Sequence, residues 1–286
     1  SRGLGDVYKR QVLSEVLFMG LPILVLGYSG SGKSASLRNF KANELALVNV
    51  NGKSLPFRTK FTSSINSDNY IDIEDFIKKQ KCKSIAVDDA QYLMANEYMR
   101  RAKETGFQKF TDIGKNFWEL VKEVETLPND TIVYFLSHIE TDENGRQKAK
   151  TIGKLLDEKI SVEGMFTTVL KTVVVDGKYL FATQTDGNDT CKSPIGLFDS
   201  MYISNDLKIV DEALRTYYSM QPEQYCDECK APILSDGKRT VKQIIDGTTK
   251  NYGRQLCMQC VARLIKQKKQ EKQREGADNA TPTVSE

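Results

Sequence analysis

The sequence predicts an α/β fold: a mainly parallel central sheet flanked by helices, followed by a small C-terminal metal-binding module. Three observations carry this reading. Unbroken apolar runs such as Leu21–Leu26, Ile85–Val87 and Ile132–Leu136 read as strands buried on both faces. Between the last two, Phe110, Ile113, Phe117, Leu120, Val121 and Val124 recur at helical spacing, with Trp118 belonging to packing. Near the C-terminus four cysteines stand in two C-x-x-C pairs, Cys226/Cys229 and Cys257/Cys260.

A chain of 286 residues holds one large α/β domain plus something small. No apolar stretch is long enough to span a bilayer. Val12–Leu26 is interrupted by Ser14, Glu15, Gly20 and Pro22 and does not read as a signal peptide. The expectation is a cytoplasmic protein without a membrane partner. The net charge of +3 gives no argument for nucleic acid, although the basic excess lies from Cys226 onward. Ser1–Gln11 resembles translated adaptor sequence and lacks an initiator Met, so residues 1–11 are read as a non-native leader. The remaining divisions are 12–220, the α/β domain; 221–265, the cysteine module; and 266–286, a basic helix end with a polar, disordered tail.

The first strand runs into Gly27-Tyr28-Ser29-Gly30-Ser31-Gly32-Lys33-Ser34, which fits G-x-x-x-x-G-K-[ST]. Pro22 is tolerable at that strand's first position. Ala35–Phe40 continues as a helix, so strand, glycine loop and helix together aim backbone N–H groups at phosphates. Lys33 would reach the β and γ phosphates of ATP, and the Ser34 hydroxyl would ligate Mg²⁺. Ser84–Asp89 then supplies the acid: an apolar run ending in two carboxylates, with Asp88 holding Mg²⁺ through water. Asp89 has two readings: it positions or deprotonates the attacking water, or it caps a helix over Ala90–Arg101. Thr131–Ser137 ends at His138, the single histidine, where a strand's carboxyl end faces ligand; it senses a γ-phosphate, hydrogen-bonds a catalytic water, or is structural.

With a further strand near Leu45–Val50, the order is RecA-type. The chain resembles the phage RecA-like ATP-binding proteins of the Sak single-strand-annealing group, over residues 20 to 215. The matching pieces are Gly27–Ser34, IAVDDAQYL (85–93), FLSHIE (135–140), KTIGKLLDE (150–158) and FATQTDGNDTCKSPIG (181–196). The resemblance implies a RecA-like P-loop NTPase fold, ATP binding, a homo-oligomer, and action on single-stranded DNA in recombination inside a bacterial host. A phage recombination or single-strand-binding protein is the implied partner. Such proteins carry a catalytic Glu after the strand that follows the P-loop. Val48–Lys53 has no acid there, so either Asp89 takes over or hydrolysis is slow. The resemblance also implies a DNA-binding loop after His138. Asn144-Gly145 marks a two-residue hairpin turn there, and Arg146, Lys148, Lys150 and Lys154 are the cations to test, opposed by Asp142 and Glu143. The other reading is a solvated hairpin. Val169–Val175 and Tyr179–Gln184 read as a second hairpin at the sheet edge. Lys192 beyond it is either a residue reaching a neighbour's ATP, as in RecA-like filaments, or a surface lysine.

Four thiolates at Cys226, Cys229, Cys257 and Cys260 suit tetrahedral Zn²⁺. Two disulfides are the alternative, disfavoured in a reducing cytosol. Cys82 and Cys191 read as plain thiols. Val261–Arg274 reads as a basic helix, which either meets DNA or a partner protein or is the solvated end of a small structural fold. The functional expectation is an ATP-binding protein, a slow ATPase, that anneals or pairs single-stranded DNA. The alternatives are a nucleotide-binding adaptor or loader, or a P-loop kinase of a small molecule, although no Arg-rich lid follows the core.

Overall fold

The computed structural model describes residues 19–218, 224–231, 233, 239 and 241–267. The leader at residues 1–11, the 12–18 segment and the tail from 268 lie outside the described residues. The chain divides into two compact units, Ser1–Met220 and Gln221–Glu286.

The first unit is a sheet with helices on both faces. Its strands are β1 (Leu21–Gly27), β2 (Leu45–Asn49), β3 (Ser63–Ile65), β4 (Ser84–Asp88), β5 (Ile132–Thr141), β6 (Gln147–Ala149), β7 (Thr168–Val175), β8 (Lys178–Ala182) and β9 (Tyr202–Ser204). They lie in the order β3-β2-β4-β5-β1-β7-β8-β9, with β6 paired to the far end of β5. The six strands from β3 to β7 are mutually parallel; β8 and β9 extend the sheet antiparallel. β5 therefore stands between the glycine-loop strand β1 and the acidic strand β4.

Alternation along β1 divides the core. Leu24 and Leu26 face helices α1 (Tyr70–Lys78), α2 (Gln91–Arg100) and α3 (Gln108–Val124), while Ile23 and Val25 face Leu37, Phe40 and α4 (Leu207–Tyr217). Pro22 is the second residue of β1, not the first. The Leu21 N–H donates toward the β5 side, to Thr131 O. Pro22 therefore turns its missing donor toward β7, whose pairing begins only at Ile23. Trp118 packs on the α1–α3 side of the core. On the other face, Asp211 of α4 accepts from Ser84, Tyr134 and Arg215 at 2.7–2.9 Å, pinning that helix to β4 and β5.

Several expected elements differ in detail. The helix after the glycine loop is one 3₁₀ turn, Ser34–Leu37. The Ser36 hydroxyl bonds back to Lys33 O at 2.5 Å. Arg38 and Asn39 then bond to Asn205 O and Asp206, drawing the chain away from a helical path. β5 does not stop before His138 but runs on to Thr141, because β6 pairs with its end. The turn between them spans Asp142–Arg146 rather than the two residues Asn144-Gly145. Asp142 Oδ1 accepts from the N–H groups of Asn144 and Arg146, and Gly145 takes the positive φ. The β7–β8 hairpin closes on Asp176-Gly177, both at positive φ, the twist-matched two-residue turn. It is not at the edge, since β9 pairs outside β8.

In the second unit, α5 (Val241–Tyr252) and a helix at 258–267 enclose a small core of Ile233, Ile244, Leu256 and Val261 around three of the cysteines. Arg263 and Lys266 are exposed; Lys268, Lys269, Lys272 and Arg274 lie outside the described residues. Among the described residues no helix is long and apolar enough to cross a membrane.

Candidate functional site

The glycine loop sits at the carboxyl end of β1. Gly27 is the register partner of His138, so the loop opens directly beside the histidine on β5. Close packing explains the first glycine: a Cβ on Gly27 would lie 1.9 Å from Thr172 Oγ1 and 2.5 Å from Ser31 Oγ. Gly30 and Gly32 take positive φ, which the turn requires. Tyr28 and Ser29 form the exposed crest, and the Tyr28 hydroxyl bonds Thr141 Oγ1 at 2.8 Å. Ser31 bonds Tyr28 O and Thr172 Oγ1.

Lys33 is buried and curls back under the loop, donating to Gly27 O at 2.9 Å and Tyr28 O at 3.0 Å. Burial pulls its ammonium down to about 8, against support from Asp89 and Asp88. Ser34 donates to Asp88 Oδ1 at 2.9 Å. Burial holds the Asp88 carboxyl above its ordinary value, opposed mainly by that hydrogen bond. A hydroxyl and a carboxylate in contact are the oxygen donors a hard divalent cation prefers.

Asp89 is the best-connected acid of the site. It sits at φ +60° and accepts from Asn51 Nδ2 and Lys53 Nζ, both at 2.9 Å, and lies 3.3 Å from His138 Nε2. Burial raises its carboxyl, but the hydrogen bonds from His138, Asn51 and Lys53 outweigh this and hold it well below the usual carboxylate range. Its side chain does not cap the following helix: α2 begins at Gln91 without a side-chain cap. His138 is partly buried and meets Tyr92 edge-on, with ring centroids 5.7 Å apart.

The fold thus gathers Lys33, Ser34, Asp88, Asp89 and His138 at neighbouring strand ends. Two residues were not singled out by sequence reasoning. Asn51 and Lys53 lie in the segment read only as lacking a glutamate; there they clamp Asp89, with the turn closed by Asn49 donating to Lys53 O. Their signal was position: a polar loop directly after a strand that neighbours β4.

The expected DNA-contacting cations are not equivalent. Lys148 is paired with Asp157 and Glu140, and Lys154 with Glu158, whereas Arg146 and Lys150 are exposed. Lys192 is half-buried and bridges to Val169 through its backbone.

The four C-terminal cysteines converge, with all Sγ atoms within 4.8 Å of one another. Cys229 and Cys257 sulfurs are 3.7 Å apart, close to the roughly 3.8 Å edge of a tetrahedron with metal–sulfur bonds near 2.3 Å. Burial opposes ionisation of Cys226, but backbone N–H groups of Cys229, Cys257 and Glu228 outweigh it and favour the thiolate. Such a cluster could hold a metal such as zinc. Cys82 and Cys191 are free thiols outside it.

Comparison with protein-family models gives no match, and comparison with curated proteins finds no similar sequence.

Proposed function

We propose that the first unit binds a nucleoside triphosphate with Mg²⁺ and hydrolyses it slowly, in the service of single-stranded DNA annealing or pairing. One observation carries the nucleotide reading: Lys33, Ser34, Asp88, Asp89 and His138 converge around a glycine loop at neighbouring ends of parallel strands. Lys33 exchanges loop carbonyls for phosphate oxygens when nucleotide enters, which favours its ammonium form. Ser34 and Asp88 hold Mg²⁺, which would neutralise phosphate charge. Asp89, held so far down, is a poor proton acceptor. It orients water rather than deprotonating it, with His138 and Asn51 fixing its carboxylate, and this supports slow turnover.

The DNA role rests on the RecA-like, phage Sak-type resemblance and on the hairpin that continues β5 beyond His138. Arg146 and Lys150 are its exposed cations, and Tyr28 in the glycine loop touches the hairpin at Thr141, the last paired residue before its turn. The second unit binds Zn²⁺ through Cys226, Cys229, Cys257 and Cys260. Binding of a labelled single-stranded oligonucleotide, measured with ATP, with ADP and without nucleotide, tests the whole reading. Tighter, salt-sensitive binding with ATP is expected. Nucleotide binding without any oligonucleotide binding would favour the adaptor or loader.

A further inference from the structure

The acidic residues lie on the β4–β5 side of the glycine loop. On its other side, toward β8 and β9, is an open cavity of ≈ 640 Å³. Ala35 of the 3₁₀ turn and Arg38 just after it form one wall; Tyr179, Ile203 and Asn205 form the other. The two sites share the loop itself, because a Cβ on Gly32 would lie 2.8 Å from the Tyr179 ring and 3.3 Å from Asn205 Oδ1.

Asn205 is the unusual residue. It is 1% exposed, and neither its Oδ1 nor its Nδ2 has a hydrogen-bond partner. A buried amide without partners is costly, because its desolvation is not repaid, so it calls for an occupant that supplies them. Its backbone is fixed at both ends: the N–H donates to Tyr179 O, and Arg38 donates to its carbonyl at 2.6 Å. The amide is therefore held in place, beneath a Tyr179 side chain that is 51% exposed and able to rotate.

We propose that this cavity takes the base of the bound nucleotide, an adenine ring stacked on Tyr179 and read by the Asn205 amide. The inference rests on the glycine-loop reading above. A triphosphate whose terminal phosphate faces Asp88 and Asp89 leaves its nucleoside end on the opposite side of the loop, where the cavity lies. An amide offers one donor beside one acceptor. Adenine's major-groove edge presents the complementary pair, N6–H beside N7, whereas the same edge of guanine presents two acceptors. Tyr179 swings off the amide to stack on the ring, and Arg38 borders the same space with a cation that favours an aromatic face.

The test compares ATP, GTP and inorganic tripolyphosphate on the full chain with Mg²⁺ by titration calorimetry. Wild type is expected to bind ATP at least about tenfold more tightly than tripolyphosphate or GTP, as one bidentate pair provides. In Asn205→Leu and in Tyr179→Ala the ratio of ATP to tripolyphosphate affinity should fall toward one. Tyr179 is half-exposed, so its truncation is expected to be tolerated and serves if Asn205→Leu does not fold. Equal wild-type affinity for ATP and tripolyphosphate, or an unchanged ratio in Tyr179→Ala, overturns the base site. Preference for GTP overturns the adenine assignment. Failure of wild type to bind either triphosphate instead overturns the glycine-loop reading, and this inference with it.

Discussion

At the scale of single residues, Lys33 combines burial with a charge supported by two loop carbonyls and by Asp89 and Asp88. Its ammonium is pulled from 10.5 to about 8. Between those values Lys33 binds a proton more in the unfolded chain than in the folded one, so its own contribution to stability rises with pH through that window. Lys33→Met should remove this rise, as denaturant midpoints at pH 8 and pH 10 will show. Phosphate favours the ammonium, so nucleotide affinity should weaken as pH climbs above about 8. In Lys33→Met, affinity should drop by about 100-fold at neutral pH, because several charge-assisted hydrogen bonds are lost. Asp89→Asn should lower phosphate release by about 100-fold with little change in nucleotide affinity. A proportionate loss of binding would assign Asp89 to the nucleotide rather than to water. Lys33, Ser34, Asp88 and Asp89 were legible because motif spacing names them. Asn51, Lys53 and Asn205 were not, since an amide or lysine in a loop acquires meaning only from what it touches.

Among the elements, the glycine loop depends on a strand remote in sequence. Gly27→Ala drives a methyl group into Thr172 on β7 and should destabilise the fold by about 1–3 kcal/mol. Adding Thr172→Ala should recover part of that loss in thermal denaturation, whereas a purely local loop defect would not respond. The β5–β6 hairpin makes a separate claim. Arg146→Glu with Lys150→Glu should weaken oligonucleotide binding and reduce its salt dependence. Lys148→Glu should mainly loosen the hairpin, because Lys148 already serves Asp157 and Glu140. Strands and the α3 stripe could be read from periodicity. The short 3₁₀ turn after Ser34 could not, because Asn205 and Asp206 divert that chain from across the fold.

For the molecule as a whole, the division at Met220/Gln221 predicts separable failures. Cys226→Ser should abolish stoichiometric zinc and open residues near 226–260 to protease, since a metal on the four cysteines would supply much of the stability of a core this small. Nucleotide affinity of the first unit should stay within about twofold of wild type, within the ordinary scatter of mutations at independent sites. Zinc content and limited proteolysis on the same preparation decide this. A zinc ratio near zero in a wild-type protein purified without chelator would refute the metal assignment.

By itself the sequence determined which residues are buried strands, which run is the glycine loop, and which four cysteines share one module. These properties are local: apolar continuity, fixed spacing and ligand chemistry act within a few residues. Tertiary structure alone decided that β5 stands between β1 and β4, that Asp89 is clamped by Asn51, Lys53 and His138, and that an unpartnered Asn205 amide lies behind Gly32. Strand order and long-range contacts depend on how the crossovers close the sheet, and side chains as far apart in sequence as Asn51, Asp89 and His138, or Gly32 and Asn205, leave no shared pattern in the chain's order.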